Sequence, residues 1–250
     1  MMRITETVKH LIILNIVFFI GSMIVGEPAV RILALHFPAN PDFKVWQVIT
    51  HMFMHGSIMH IFFNMFALFS FGGLLEQLWG PKKFIFFYLS CGLGAAALHI
   101  GVNYYYYHQA IEILSDNGYA KDTVLALLDQ GKYNPKWADI LTPVQLQNFM
   151  SGYYSPMLGA SGAIYGLLVA FAFMFPNAEL MLMFIPIPIK AKYFVPALLA
   201  YDLFSGVRGQ SVFGGSSDGV AHFAHLGGAV LGFLMMWYWK KNQYNGNRWN

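Results

Sequence analysis

The sequence predicts an all-α membrane protein whose helices cross the bilayer six times, and three observations support this fold class. Of its 250 residues, 57% are hydrophobic and 11% are charged, whereas about a quarter of the residues in a soluble domain carry a charge. Six apolar segments follow one another along the chain, separated by more polar stretches. Basic residues gather at alternate ends of these segments, as is typical of multi-pass membrane proteins.

Composition and charge also limit the partners and the disulfides that we expect. The net charge is +3 and the basic residues are scattered rather than clustered, so we expect no nucleic-acid partner. The single cysteine, Cys91, lies in an apolar stretch and has no partner for an internal disulfide. Because the chain is so hydrophobic, we expect the lipid bilayer to surround it. The sequence indicates no particular oligomeric state.

Each predicted span is an apolar stretch long enough to cross much of the hydrocarbon core, which is about 30 Å thick and needs about 20 helical residues. The segment 193–206 is the weakest because it is short and carries Asp202. Residues 184–189 are apolar but contain Pro186 and Pro188, so we expect them in a connecting loop. No small-residue cleavage site follows the first segment, which we expect to be retained. The six spans are 11–25, 57–75, 84–102, 157–175, 193–206 and 221–239.

An even number of spans places both termini on the same side of the membrane, and basic residues favour the cytoplasmic side. We therefore expect an inner (cell) membrane protein whose second, fourth and sixth spans enter from the extracytoplasmic side. The basic residues on the predicted cytoplasmic side are Arg3, Lys9, Lys82, Lys83, Lys190, Lys192, Lys240, Lys241 and Arg248.

The longest segment outside the predicted spans is 103–156, between the third and fourth spans. It begins with four tyrosines, Tyr104 to Tyr107, which suit the membrane interface. Its apolar residues recur at helical spacing, so we expect an ordered cap on the outer face of a single membrane domain, 1–250. Two roles stay open for this cap, a bias on substrate entry and a purely structural cover.

Polar side chains within predicted spans are costly and indicate function. His60 and Asn64 lie four residues apart on one face of the second span, Ser161 lies near the start of the fourth, and His225 near the start of the sixth. These three spans enter from the same side, so His60, Ser161 and His225 should lie about 5 to 6 Å below the outer entrance. We expect them to meet in one layer.

These residues supply the parts that acyl transfer requires. A serine becomes a good nucleophile when a base takes its proton, and the resulting oxyanion needs preorganised donors. Ser161 and His225 are the candidate catalytic dyad, with His60 and Asn64 as candidate oxyanion donors. Asp202 and Asp218 are possible third members, but spacing places neither, so the sequence supports a dyad.

Glycines surround both members of the dyad and favour close helix packing. Small residues let membrane helices approach each other, and a hydrogen bond between serine and histidine requires such an approach. The glycines near Ser161 and His225 are Gly159, Gly162, Gly166, Gly227, Gly228 and Gly232.

At these motifs the chain resembles the rhomboid family of intramembrane serine proteases. Gly159-Ala160-Ser161-Gly162 with Tyr165 resembles the nucleophile motif, and Ala224-His225-x-x-Gly228-x-x-x-Gly232 resembles the histidine helix of that family. His55-x4-His60-x3-Asn64 resembles the second-span motif, and Glu76 also has a family counterpart.

The resemblance implies a rhomboid-like bundle of six transmembrane helices with a long outer loop between helices 3 and 4. It implies that Tyr165 packs on His225, and that the Ser161 backbone N–H joins His60 and Asn64 in the oxyanion hole. It further implies transmembrane protein substrates, a small residue before the scissile bond, and neither metal nor other cofactor.

Two departures from the family pattern affect the loops, and two alternative functions stay open. The first outer loop carries Trp46-Gln47 where the family commonly has Trp-Arg, and 103–156 is longer than in compact members. One alternative is a catalytically inactive rhomboid-like chaperone or binding protein. The other is a di-iron membrane oxygenase, because His51-x3-His55 and His222-x2-His225 resemble metal-binding histidine boxes.

Overall fold

The computed structural model describes residues 4–182, 185–208 and 219–243, and most of them are helical. The α-helices are α1 Glu6–Val25, α2 Glu27–Leu33, α3 Gln47–Thr50, α4 Ile58–Ala67, α5 Gly73–Trp79, α6 Pro81–Asp116, α7 Lys121–Asp129, α8 Pro143–Tyr154, α9 Ser161–Met174, α10 Ala191–Arg208 and α11 Gly219–Gln243. Short 3-10 turns cover His51–Phe53 and Pro135–Asp139, and a π-helical turn, Leu68–Gly72, joins α4 to α5.

This all-α bundle is a multi-pass membrane protein. By length and composition, three helices in the described ranges could each cross a membrane, Glu6–Val25, Ile58–Trp79 and Pro81–Asp116, and Ser161–Met174 is a shorter apolar helix. Large apolar side chains on α1, including Ile16, Val17 and Ile24, are exposed, and such a surface suits lipid rather than water. The count of six spans stays a prediction. In that prediction α10 and α11 are the fifth and sixth spans, after these four helices.

The centre of the bundle is α9, which packs between α6 and α11. Its side chains Leu167 and Ala170 are fully buried, and α10 packs against both α9 and α11. The helix that begins with Ser161 therefore packs against α11, the helix that carries His225. The candidate site lies where these helices meet.

The N-terminal end of α1 is held by a carboxylate from another helix. Thr5, the residue before α1, makes no side-chain cap to its own helix. Instead Glu76 on α5 accepts hydrogen bonds from the backbone N–H groups of Thr7 and Val8, each at 3.0 Å, and from the Thr5 hydroxyl. An anion at a helix N-terminus satisfies unpaired N–H groups and complements the helix dipole.

The third predicted span does not end at Val102, because α6 is 36 residues long and runs from Pro81 to Asp116. No proline or glycine interrupts the sequence between Val102 and Gly118, so the helix has no local reason to stop. The cap segment 103–156 consequently begins inside a helix and continues through α7 and α8. Its apolar residues form a core of their own around Trp137, Leu128 and Phe149, all with exposed fractions of 1% or less.

Of the expected connecting loop at 184–189, residue 184 lies outside the described residues, and residues 185–189 belong to the second strand of a β-hairpin. Strand β1, Glu179–Leu182, pairs antiparallel with β2, Ile185–Lys190, in a register that sets Glu179 opposite Lys190. Pro186 and Pro188 do not prevent this pairing, because each strand of a two-stranded sheet has a free edge that needs no N–H donor. The hairpin therefore leads the chain from α9 into α10.

Candidate active site

Ser161 is the first residue of α9, and a tight turn delivers it into a cleft. Gly159 has a φ of +123°, a conformation that residues with a Cβ rarely adopt, and its N–H donates to the His51 carbonyl at 2.9 Å. A Cβ at Gly159 would also lie 2.8 Å from the His60 ring. Glycine at this position thus permits both the turn and the close approach of His60.

His225, on α11, lies beside Ser161. Its Nε2 is 3.0 Å from the Ser161 Oγ, a distance at which a hydroxyl proton can pass to the imidazole. The Tyr165 ring stacks on the His225 ring with centroids 4.3 Å apart and an interplanar angle of 10°. The stacking fixes the plane of the imidazole. The structure thus brings together Ser161 and His225, the pair that the spacing predicts, and Tyr165, which the family resemblance implies.

His60 shares the cleft with Ser161, whereas Asn64 lies one turn further along α4. Ser57 caps α4 by accepting from the His60 backbone N–H at 3.1 Å. The Gly56 N–H lies 3.5 Å from His60 Nδ1, an arrangement that leaves Nε2 as the ring donor. Asn64 Nδ2 donates to the His60 carbonyl at 2.8 Å, which leaves only its second N–H for any other acceptor.

A cleft of about 300 Å³ opens above these residues, and the cap forms one of its walls. Ser151, Gly152 and Ser155 from the C-terminal end of α8 line it together with Ser161 and His225. The sequence did not identify this wall, because 103–156 carries no motif that relates α8 to the dyad.

A second polar pair, His99 and Asn103 on α6, also lines the cleft. Asn103 Nδ2 and His99 Nε2 are 3.0 Å apart, and both residues are buried. A signal was present in the sequence, because a histidine and an asparagine four residues apart repeat the spacing of His60 and Asn64.

Asp202, which spacing could not place, points toward the dyad. Its Oδ1 is 2.5 Å from His222 Nδ1 and 3.4 Å from His225 Nδ1. The sequence assigned His222 no role in the dyad chemistry and placed it only in the alternative histidine box. Asp218, the other candidate carboxylate, lies outside the described residues.

The first outer loop is held by Gln47, at the position where the family commonly has arginine. Its amide nitrogen donates to the carbonyls of Arg31 and Asp42, each at 2.9 Å. Its Oε1 accepts from the backbone N–H groups of His36 and Lys44 at 3.2 and 3.1 Å. A neutral amide can do this because the loop presents both donors and acceptors to it, whereas an arginine can only donate.

Two histidines beneath this loop are neutral at physiological pH. Burial lowers the pKa of His51 to about 4 and that of His55 to about 4, and the nearby His60 further lowers the pKa of His55. Among the described residues, the one group of three or more potential metal ligands joins Asp202, His222 and His225. Because that group includes neither His51 nor His55, the two histidine boxes do not form a common site in the described part of the chain.

Comparisons with known proteins agree on one family. The family model described as "Rhomboid domain" matches residues 42–120 and 137–242. Rhomboid protein 1, mitochondrial, of Saccharomyces cerevisiae is 27% identical over 194 residues, which cover 78% of this chain and 42% of that protein. Presenilin-associated rhomboid-like protein, mitochondrial, of Homo sapiens is 26% identical over 218 residues, covering 83% of this chain and 41% of that protein.

A shorter match links the chain to a bacterial protein. Rhomboid protease GlpG of Salmonella paratyphi A is 38% identical over 71 residues, which cover 28% of this chain and 26% of that protein. The chain thus spans less than half the length of each of these three relatives. The family model does not match residues 121–136, which contain α7.

Proposed function

Because this chain belongs to the rhomboid family, we propose that it is an intramembrane serine endopeptidase that cleaves transmembrane segments of other membrane proteins. The observation that carries the proposal is the 3.0 Å distance between Ser161 Oγ and His225 Nε2. Nucleophile and base within hydrogen-bond reach of each other are the signature of nucleophilic acyl transfer.

In the proposed reaction, His225 Nε2 takes the Ser161 hydroxyl proton while Oγ attacks the scissile carbonyl carbon. The tetrahedral intermediate collapses to an acyl-enzyme when His225 returns that proton to the leaving amine. Water then attacks the ester carbonyl, giving a proton to His225, and Ser161 leaves with that proton restored. Both peptide products are released, and the reaction consumes one water molecule.

The proposed oxyanion hole combines a backbone group with side chains. Ser161 begins α9, so its N–H belongs to the first turn, where donors have no partner inside the helix. The His60 ring reaches the same cleft and Asn64 has one further N–H, so both can contribute donors. Donors aimed at the developing negative charge are commonly the largest single contribution to such a reaction.

The substrate class follows from where the site lies. A peptide bond inside a helix has its carbonyl and N–H occupied, so a transmembrane substrate must unwind locally before Ser161 can attack. Helix-breaking residues near the cut and a small residue before it would assist this step. We place the protein in a cell (inner) membrane with the cleft open to the extracytoplasmic side, which the distribution of lysine and arginine supports.

The experiment that tests the proposal is cleavage of a single-span membrane protein by the purified chain in detergent. We expect two fragments, undiminished activity in the presence of a chelator, and inactivation by a serine-directed acylating agent. A folded protein that neither cleaves nor is acylated would instead favour the inactive chaperone or binding protein. Loss of activity on chelation, together with stoichiometric iron in the purified protein, would favour the histidine-box oxygenase.

Replacing His60 with alanine should slow cleavage less than loss of the dyad does. The change removes one oxyanion donor, and one such donor is worth at most roughly 3 to 4 kcal/mol, so kcat should fall by about 10²- to 10³-fold with little change in KM. The parallel change Asn64→Ala should have a smaller effect, because one N–H of that amide already bonds the His60 carbonyl. If neither variant altered kcat, both side chains would be packing residues.

Removing α7 from the cap should change the turnover of transmembrane substrates but not the hydrolysis of small soluble ones. The Tyr153 hydroxyl donates to Asp129 at 2.5 Å and the Tyr154 hydroxyl to the Leu128 carbonyl at 2.8 Å, so α7 holds the helix that lines the cleft. A short flexible linker in place of 121–136 should change turnover of transmembrane substrates and leave hydrolysis of a small soluble reporter nearly intact. Tyr153→Phe is the milder matched variant. Unchanged rates for several transmembrane substrates would leave the cap a structural cover.

A further inference from the structure

Asp202 is a buried carboxylate that the proposed two-residue mechanism leaves without a task. It lies on α10 with 2% of its surface exposed, in a segment that we predict to cross the membrane. Ionisable residues inside membrane helices are costly and mark functional sites. Its neighbours therefore indicate what it does.

The carboxylate completes a line of three groups that begins at Ser161. The Ser161 Oγ lies 3.0 Å from His225 Nε2, and the opposite ring nitrogen, Nδ1, lies 3.4 Å from Asp202 Oδ1. A proton on Nδ1 faces the carboxylate, which leaves Nε2 free to accept the serine proton. A nucleophile, a base and a group that orients the base, in that order, define a catalytic triad.

The 3.4 Å distance from His225 to Asp202 is longer than that of a strong hydrogen bond. His222 lies closer to the same oxygen, at 2.5 Å. The interaction between Asp202 and His225 becomes stronger during the reaction. His225 then gains a proton and becomes a cation beside a carboxylate that is shielded from water. Their attraction is stronger in this environment than in solution. An interaction that grows as charge develops accelerates the chemical step.

A divalent metal ion is the competing ligand for the same three side chains, and the distances argue against it. Zinc binds histidine nitrogen and carboxylate oxygen at about 2.0 to 2.2 Å each in a tetrahedral arrangement, which sets two ligand atoms more than about 3 Å apart. The 2.5 Å between His222 Nδ1 and Asp202 Oδ1 leaves room for a proton and not for an ion.

We propose that Asp202 is a positioning residue that extends the dyad to a Ser161–His225–Asp202 triad, and that His222 holds the carboxylate in place. This inference rests on the proposed peptidase function. Asp202 acts through His225, by selecting the tautomer with its proton on Nδ1 and by stabilising the cation that forms in the reaction. His222 fixes the carboxylate from the next turn of α11.

The test compares Asp202→Asn with the wild-type protein in the cleavage assay. The amide has nearly the same shape but can donate to His225 Nδ1, which favours the wrong tautomer, so kcat should fall by about 10²-fold or more with KM little changed. Ser205→Ala is the matched control, because it removes a buried polar atom one turn further along α10 and should leave kcat unchanged. Wild-type kcat in Asp202→Asn would overturn the proposal.

A spectroscopic measurement separates positioning from mere structural support. In ¹⁵N-histidine spectra of the wild-type protein, assigned with His225→Ala, we expect the His225 proton on Nδ1, and we expect it to leave that nitrogen in Asp202→Asn. This measurement tests the proposal even if Asp202→Asn fails to fold, because the wild-type spectrum alone can contradict it. If the ring proton of His225 in the wild-type protein lay on Nε2, the proposal would be overturned. If the wild-type protein cleaves nothing, the peptidase function fails, while the spectrum still shows whether Asp202 positions His225.

Discussion

Replacing Ser161 with alanine is expected to reduce cleavage of a transmembrane substrate by about 10⁴-fold or more, and His225→Ala should have a similar effect. Nucleophile and base act as one unit, so removing either removes nearly the whole contribution of the pair. The measurement is the initial rate of fragment formation in detergent, with thermal unfolding recorded for each variant. Both proteins should still insert and fold, because each change only shortens a side chain at the edge of the cleft.

A matched control for this prediction is Ser22→Ala. Ser22 lies on α1, and its hydroxyl donates to the Phe19 carbonyl of its own helix at 2.9 Å. Its loss removes a serine from a membrane helix at a position that does not line the cleft. Cleavage by this variant should equal that of the wild-type protein. Comparable cleavage by Ser161→Ala or His225→Ala would disprove the assignment of the dyad.

The second large effect is expected at Gly228, where α11 crosses α9. A Cβ at Gly228 would lie 1.8 Å from the Gly162 carbonyl oxygen and 2.6 Å from its carbonyl carbon. Both are backbone atoms, so no side chain can move aside and the helices themselves must separate. Because overpacking of this kind costs about 1 to 3 kcal/mol and sometimes more, Gly228→Ala should unfold at a markedly lower temperature. It should also lose activity, since His225 lies one turn away on the same helix.

Two further variants test whether the contact between helices is the cause. Gly101→Ala adds the same methyl group to α6, at a point where no atom of the described residues outside the local helix backbone lies within 4 Å. It should leave cleavage unchanged and should not lower stability, because alanine favours a helix more than glycine does. The contact of α9 with α6 offers a parallel test: the Cβ of Gly162→Ala would lie 2.3 Å from the Ala95 Cβ of α6. Gly162→Ala should therefore lose stability, and the double variant Gly162→Ala, Ala95→Gly should regain it. A Gly228→Ala protein as stable and active as the wild type would show that α9 and α11 do not cross as closely as described.

The sequence by itself determined the fold class and the order of its parts. Apolar segments of span length define an all-α membrane protein, because backbone groups in lipid must be satisfied within each helix. The same reasoning brought Ser161 and His225 to one depth, since helical rise and parallel entry fix the depth of a residue. The dyad distance in the structure is consistent with that prediction, and its catalytic role stays a proposal.

The groups that surround the dyad can be identified only from the packing of the helices. Hydropathy describes the environment of a segment averaged over its faces, and it does not tell which neighbour each face meets. From the sequence, Asp202 could be recognised as an ionisable residue that is costly to bury in a membrane helix. Its position beside His222 and His225 is known only from the packing of α10 against α11. The α8 wall of the cleft likewise depends on the continuation of α6 to Asp116 and on the core around Trp137. These contacts join residues distant in the chain, and packing alone sets their distances.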